Sequence, residues 1–185
     1  MRVIAGEFKG RRLVTPRGNR TRPTADQVRT AALDALMPWL AGAHVLDLFA
    51  GAGGVGIEAL SRGAAHATFV ERDPQALRAL ESNIGELPLG GRTRVLRTSV
   101  SRGLEILTGE GARHAVVFLD PPYEDAAAVT TTLEELGAGA LVAPGGIVIA
   151  QHLTKQPAPS TAGALHATRT RRFGETTLTF LRPSA

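Results

Sequence analysis

From residue 44 onward, short apolar runs alternate with stretches whose apolar positions recur at helical spacing. Residues 44–49, 67–71, 92–98, 115–120 and 146–151 read as five buried strands. Helices are expected between and after them, through 57–62, 74–86, 102–107 and 126–136. Strands that alternate with helices predict a parallel sheet covered on both faces. The end changes period. Residues 165–171 and 176–181 alternate polar and apolar about Phe173-Gly174, which predicts a closing antiparallel hairpin. Residues 155–160, with Pro157 and Pro159, read as a loop.

Ahead of this βα series the pattern differs. Short strands at 2–5 and 11–15 flank a glycine-marked turn, and a basic loop runs through Pro16, Gly18 and Pro23. Thr24 with Gln27 forms a capping box. Val28, Ala32, Leu36 and Trp39 follow at helical spacing, so a helix is expected to end within 38–42.

At 185 residues the chain suits one domain with a full-sized core, and 43% hydrophobic residues exclude wholesale disorder. No run approaches the ~18 apolar residues of a membrane span, and the opening residues lack a signal peptide's apolar stretch. The absence of cysteine excludes disulfides, thiolate metal sites and a cysteine nucleophile. The five histidines show no metal-ligand spacing, so no metal is expected. A cytoplasmic protein is the expected class.

The net charge of +4 hides an asymmetry. Arg2, Lys9, Arg11, Arg12, Arg17, Arg20, Arg22 and Arg29 face only Glu7 and Asp26, so residues 1–30 carry +6 and the rest −2. A basic arm on a near-neutral body predicts a polyanionic partner, nucleic acid above all. A merely solvated basic hairpin has the same composition.

Two motifs carry chemistry. In Asp47-Leu48-Phe49-Ala50-Gly51-Ala52-Gly53-Gly54-Val55-Gly56, Gly51, Gly53 and Gly56 satisfy G-x-G-x-x-G between a strand and a helix, and Glu71 ends the next strand. Such glycines let backbone approach a ligand, and an acid at that strand end can hold ribose hydroxyls. Asp47, four positions before Gly51, would repel a pyrophosphate but suits the amino group of a methionine moiety. That favours S-adenosylmethionine over a nicotinamide dinucleotide.

The second motif is Asp120-Pro121-Pro122-Tyr123, which follows the fourth strand. These residues suit methylation of an exocyclic amine on a planar base. The amine's lone pair is delocalised into the ring, and acceptors on its N–H groups draw the nitrogen toward sp³ geometry. Asp120 supplies one acceptor and a proline carbonyl another. Successive prolines remove competing N–H donors, and Tyr123 offers a face on which an unstacked base can lie.

Together with Arg2-Val3-Ile4-Ala5-Gly6, Lys9-Gly10-Arg11-Arg12-Leu13, Thr21-Arg22-Pro23-Thr24 and Glu58-Ala59-Leu60-Ser61-Arg62-Gly63-Ala64, these motifs resemble the bacterial 16S rRNA guanine-N2 methyltransferases over nearly the whole chain. The resemblance implies an α/β, Rossmann-like, seven-stranded S-adenosylmethionine-dependent methyltransferase fold. An N-terminal basic β-hairpin extension over 1–23 would precede the methyltransferase domain at 24–185. It implies S-adenosylmethionine as cofactor, S-adenosylhomocysteine as product, and 16S rRNA in the small subunit or its assembly intermediate as partner, acted on by a monomer.

By the same resemblance, Asp47, Phe49, Ala50, Gly51, Gly53, Glu71, Arg72 and Ser99 bind the cofactor. Asp120, Pro121, Pro122 and Tyr123 take the base, and Lys9, Arg11, Arg12, Arg20 and Arg22 bind RNA. Two positions depart from the family pattern. Phe173-Gly174-Glu175-Thr176 stands where Tyr-Gly-Asp-Thr is commoner, and Thr98-Ser99 where an Asp or Asn often meets the adenine amine. The motifs leave two other readings open: a DNA adenine-N6 methyltransferase and a non-catalytic RNA-binding module.

Overall fold

The computed structural model describes residues 1–16, 23–125 and 127–184, with side chains of the first helix described from Gln27 onward. Each expected strand from residue 44 to the closing hairpin is present. In chain order the elements are α1 (Pro23–Leu40), β1 (His44–Leu48), α2 (Gly54–Ser61), β2 (His66–Glu71), α3 (Pro74–Gly85), β3 (Thr93–Arg97), α4 (Val100–Gly109), β4 (His114–Leu119), α5 (Ala128–Ala138), β5 (Val142–Leu153), β6 (Thr161–Ala162), β7 (Leu165–Phe173) and β8 (Thr176–Pro183). The capping box at Thr24 falls outside the described side chains.

The strands form one sheet in the order β3-β2-β1-β4-β5-β8-β7-β6. β1 to β5 run parallel, and β8, β7 and β6 complete the sheet antiparallel. Eight strands stand where seven were expected. The extra one, β6, pairs only Thr161 and Ala162 with β7, too short a stretch to show a period. It is seated on α5, where Gly137 leaves room for the Ala162 carbonyl and accepts the Ala164 N–H at 2.9 Å.

Alternation along the parallel strands divides the core. Val45, Phe69, Val116, Phe118, Ile147 and Ile149 meet α1, α2 and α3 on one face. Leu46, Leu48, Val70, Val117, Leu119 and Val148 meet α4 and α5 on the other. Asp47 occupies a position on the first face that its apolar neighbours would lead one to fill with an aliphatic side chain.

The N-terminal segment forms a single antiparallel bridge, Arg2 to Arg12, rather than the two expected strands. Its side chains bind the body instead. Val3, Phe8 and Leu13 are buried in the main core. The buried Glu58 carboxylate accepts the Ile4 and Ala5 N–H groups at 2.8 and 2.9 Å, and Ser61 Oγ accepts that of Phe8 at 2.9 Å. The basic extension expected at 1–23 is thus, over its described residues 1–16, a docked arm. Arg17, Arg20 and Arg22 lie outside the described residues.

Asn83 on α3 ties this arm to the glycine loop. Its Oδ1 accepts the Val14 N–H at 2.7 Å, while Nδ2 donates to Val14 O at 3.0 Å and Ala52 O at 2.9 Å. Asn83→Ala leaves these backbone groups without their partner, at an expected cost of about 1–3 kcal/mol. Chemical denaturation checks it; an unchanged midpoint would show that water replaces the amide freely.

Candidate active site

Because β1 and β4 are neighbours and the chain builds outward from them in opposite directions, their carboxyl ends open a crevice at the switch point of the sheet. Four strand ends meet there. β1 delivers Asp47 and the glycine loop, β2 Glu71, β4 Asp120, and β5 Gln151.

The loop leaves β1 through Phe49, whose φ of 58° is the one positive value at a non-glycine position among the described residues. Left-handed backbone at such a residue costs roughly 1–2 kcal/mol, held here by the packed strand and helix on either side. Ala50 is buried and Gly51 follows at φ 57°, with open space where a Cβ would stand. Gly53 turns the chain into α2 at φ 80°. A Cβ on Gly56 would lie 2.3 Å from the Phe69 ring, so only glycine lets α2 sit this close to β2.

The two acids beside this loop play different parts. Glu71 accepts three backbone N–H groups: Gly51 at 2.7 Å on Oε2, and Arg72 and Asp73 at 2.7 and 2.8 Å on Oε1. It therefore shapes the loop, and Oε2 keeps capacity for one further donor. Asp47 is 2% exposed and accepts the Gly56 N–H at 2.9 Å. Burial, only partly offset by that bond and reinforced by the Asp120 and Glu71 charges, pushes its carboxyl up to about 8. A carboxyl so placed holds its proton at neutral pH, and an opposite charge beside it would favour the ionised form.

Asp120 is pushed up to about 7 by burial, against a hydrogen bond from the Gln151 side chain. Leu119 pairs with Ala150, which sets the next residues on the two strands side by side. Pro121 is buried and Pro122 exposed. Tyr123 is 43% exposed, and its hydroxyl meets Thr176 Oγ1 at 3.2 Å, so the turn is tied to the tip of the closing hairpin.

Ser99 reaches the same edge of the sheet, but its Oγ caps α4 by accepting the Arg102 N–H at 3.3 Å. Arg72 is exposed beside Glu71. Lys9, Arg11 and Arg12 are exposed on the arm rather than in the crevice, and Arg11 donates to Glu86 O at 2.8 Å. Gln151, Asn83 and Thr176 were not legible as site residues. Each acts through a partner tens of residues away, and no local spacing marks them.

Among the described residues, no group of three or more His, Asp or Glu could hold a metal, and no helix is long and apolar enough to cross a membrane. The chain is 38% identical over 178 residues to YlbH of Bacillus subtilis, named as a candidate rRNA methyltransferase, with 95% of each chain covered. It is 40% identical over 123 residues to Ribosomal RNA small subunit methyltransferase D of Escherichia coli, covering 66% of this chain and 60% of that protein.

Among solved structures, the candidate methyltransferase yhhF of Escherichia coli superposes with a TM-score of 0.86 and 27% identity, over 100% of this chain and 98% of that one. SMU.776, a candidate methyltransferase solved in complex with SAH, shares the fold at a TM-score of 0.67 and 13% identity, over 84% and 48%. The family described as Conserved hypothetical protein 95 matches residues 1–182, and the chain belongs to it.

Proposed function

We propose that this protein transfers a methyl group from S-adenosylmethionine to the exocyclic N2 amine of a guanine in 16S rRNA of the small ribosomal subunit. The observation that carries the reading is the meeting at one end of the sheet of a buried acid, Asp47, a glycine loop and Asp120-Pro121-Pro122-Tyr123. The names of the relatives, one of which specifies small-subunit rRNA, support the substrate.

The residues fit the cofactor. Gly51 faces open space, Asp47 is a buried acid whose ionised form a ligand ammonium would favour, and Glu71 has a free acceptor for a ribose hydroxyl. Phe49, Ala50 and Gly53 complete the loop around it, with Arg72 and Ser99 at its margin. Bound there, the cofactor supplies an electrophilic methyl on a sulfonium.

The chain's own part is to prepare the acceptor. Asp120 accepts one N–H of the amine and a proline carbonyl the other, which turns the nitrogen lone pair outward. With its carboxyl near 7, Asp120 is also matched to take the proton that the amine sheds. Tyr123 provides the exposed ring on which the base lies.

Methyl transfer to 16S rRNA, isolated small subunits and duplex DNA tests the reading. Transfer to either RNA substrate at guanine N2 is expected, and transfer to adenine in DNA alone would replace it. Tyr123→Ala should cost about 1–3 kcal/mol of base stacking, while Tyr123→Phe should be tolerated, losing only the Thr176 contact. Steady-state rates for the two variants check this, and wild-type rates for Tyr123→Ala would remove the stacking role. Lys9, Arg11 and Arg12 of the arm, with Arg20 and Arg22, are assigned to the RNA backbone.

A further inference from the structure

Several arginines of the body are paired with acids, whereas those of β7 are not, among the described residues, and sit together on one strand. Arg62, Arg92, Arg94, Arg97 and Arg102 each meet a carboxylate within 3.2 Å. Among the described residues, Arg169, Arg171 and Arg172 on β7 form no ion pair, and Glu175 is the one acid between residues 165 and 183. Arg169 lies over the Phe180 ring at 5.4 Å and Arg171 over Phe173 at 5.3 Å. A guanidinium over an aromatic ring is steadied by cation–π attraction, and guanidinium N–H groups suit a tetrahedral oxyanion. Arg172 is steadied differently, its Nε donating to Gly174 O at 2.9 Å.

Position adds to charge. Ala167 still donates to Ser160 O at 2.7 Å, and beyond it β7 has no strand on its outer side among the described residues, so residues 168–173 form the open edge of the sheet. The hairpin tip reaches the crevice: Thr176 pairs with Leu153 at the end of β5 and meets the Tyr123 hydroxyl. The turn of the N-terminal arm sits elsewhere, with Glu7 and Phe8 bound to Ser61 at the far end of α2 from the glycine loop. Residues two apart on a strand are about 6.7 Å apart. Arg169 and Arg171 thus make a short cationic ladder that ends beside the base-accepting turn.

We propose that Arg169, Arg171 and Arg172 form a second RNA-binding surface, which holds phosphates of the strand that delivers its base to Tyr123. This rests on the RNA substrate proposed above. The rival role is protective, because charges on an edge strand also keep sheets from pairing edge to edge.

The test is the affinity of the full chain for transcribed 16S rRNA across a series of salt concentrations. For Arg169→Gln, Arg171→Gln and Arg172→Gln combined, the slope of log affinity against log salt should fall by about two, at about 0.7 for each lost phosphate contact on a single strand. The triple change to Lys should retain most of the slope, and unchanged S-adenosylmethionine affinity shows that the crevice is folded. Should the Gln triple not fold, each single Gln variant should lower the slope by about 0.7.

An unchanged slope in the Gln variants, with wild type binding RNA steeply, overturns the surface and leaves the function standing. So does a slope carried wholly by Lys9, Arg11 and Arg12. Wild type that neither binds nor methylates RNA overturns the reading of function itself. Loss confined to duplex DNA binding would assign the strand to DNA instead.

Discussion

Asp120→Ala should lower methyl transfer by about 10²–10⁴-fold while S-adenosylmethionine affinity stays near that of wild type. On the proposed reading the carboxylate meets the acceptor amine, so its loss would remove an acceptor and a proton carrier without touching the loop that Glu71 organises. Its pH signature is specific. With a carboxyl raised to about 7, the active ionised form accumulates as pH rises, so kcat at saturating cofactor should climb and level off above about 7. Asp120→Asn should be slow at every pH and show no such inflection. Full activity in either variant would remove Asp120 from the chemistry.

Asp47→Ala and Glu71→Ala should each weaken S-adenosylmethionine binding by roughly tenfold or more, the loss of a charge-assisted contact worth about 1.5–3 kcal/mol. Calorimetry on folded variants measures this, and wild-type affinity in both would disprove the cofactor site. Asp47→Asn separates binding from folding. In the native state the Asp47 carboxyl titrates near 8, against an ordinary value of 3.8, so the folded protein holds a proton that the unfolded chain has released.

Stability of the unliganded protein therefore falls as pH rises from about 4 to 8. Asn at position 47 cannot ionise. Above pH 8, without cofactor, this variant should melt no lower than wild type, yet still bind S-adenosylmethionine poorly. Melting below wild type at that pH would mean that the ionised carboxylate stabilises the fold by itself.

How the site becomes visible depends on how far each residue reaches. The glycine loop, Glu71 and Asp120-Pro121-Pro122-Tyr123 are legible because each is a local device, a tight turn or strand end whose residue types are set by nearby backbone. The βα rhythm is legible for the same reason: a buried parallel strand must be apolar along its length, and its covering helix must be apolar on one face. Those patterns determined the order of the elements and placed the two candidate motifs at strand ends.

Only the tertiary structure decided what those ends do to one another. Strand order set Asp47, Glu71 and Asp120 at one crevice, and their shared burial raised Asp47 and Asp120 toward neutrality. The same folding gave Asp120 its partner in Gln151 and joined Asn83 to both the arm and Ala52. It also turned an expected basic β-hairpin extension into an arm docked on Glu58 and Ser61, and left the β7 arginines without acids. Net charge along a chain counts cations and acids but not their pairing. Pairing depends on contacts between residues far apart in sequence, which hydrophobic periodicity does not encode.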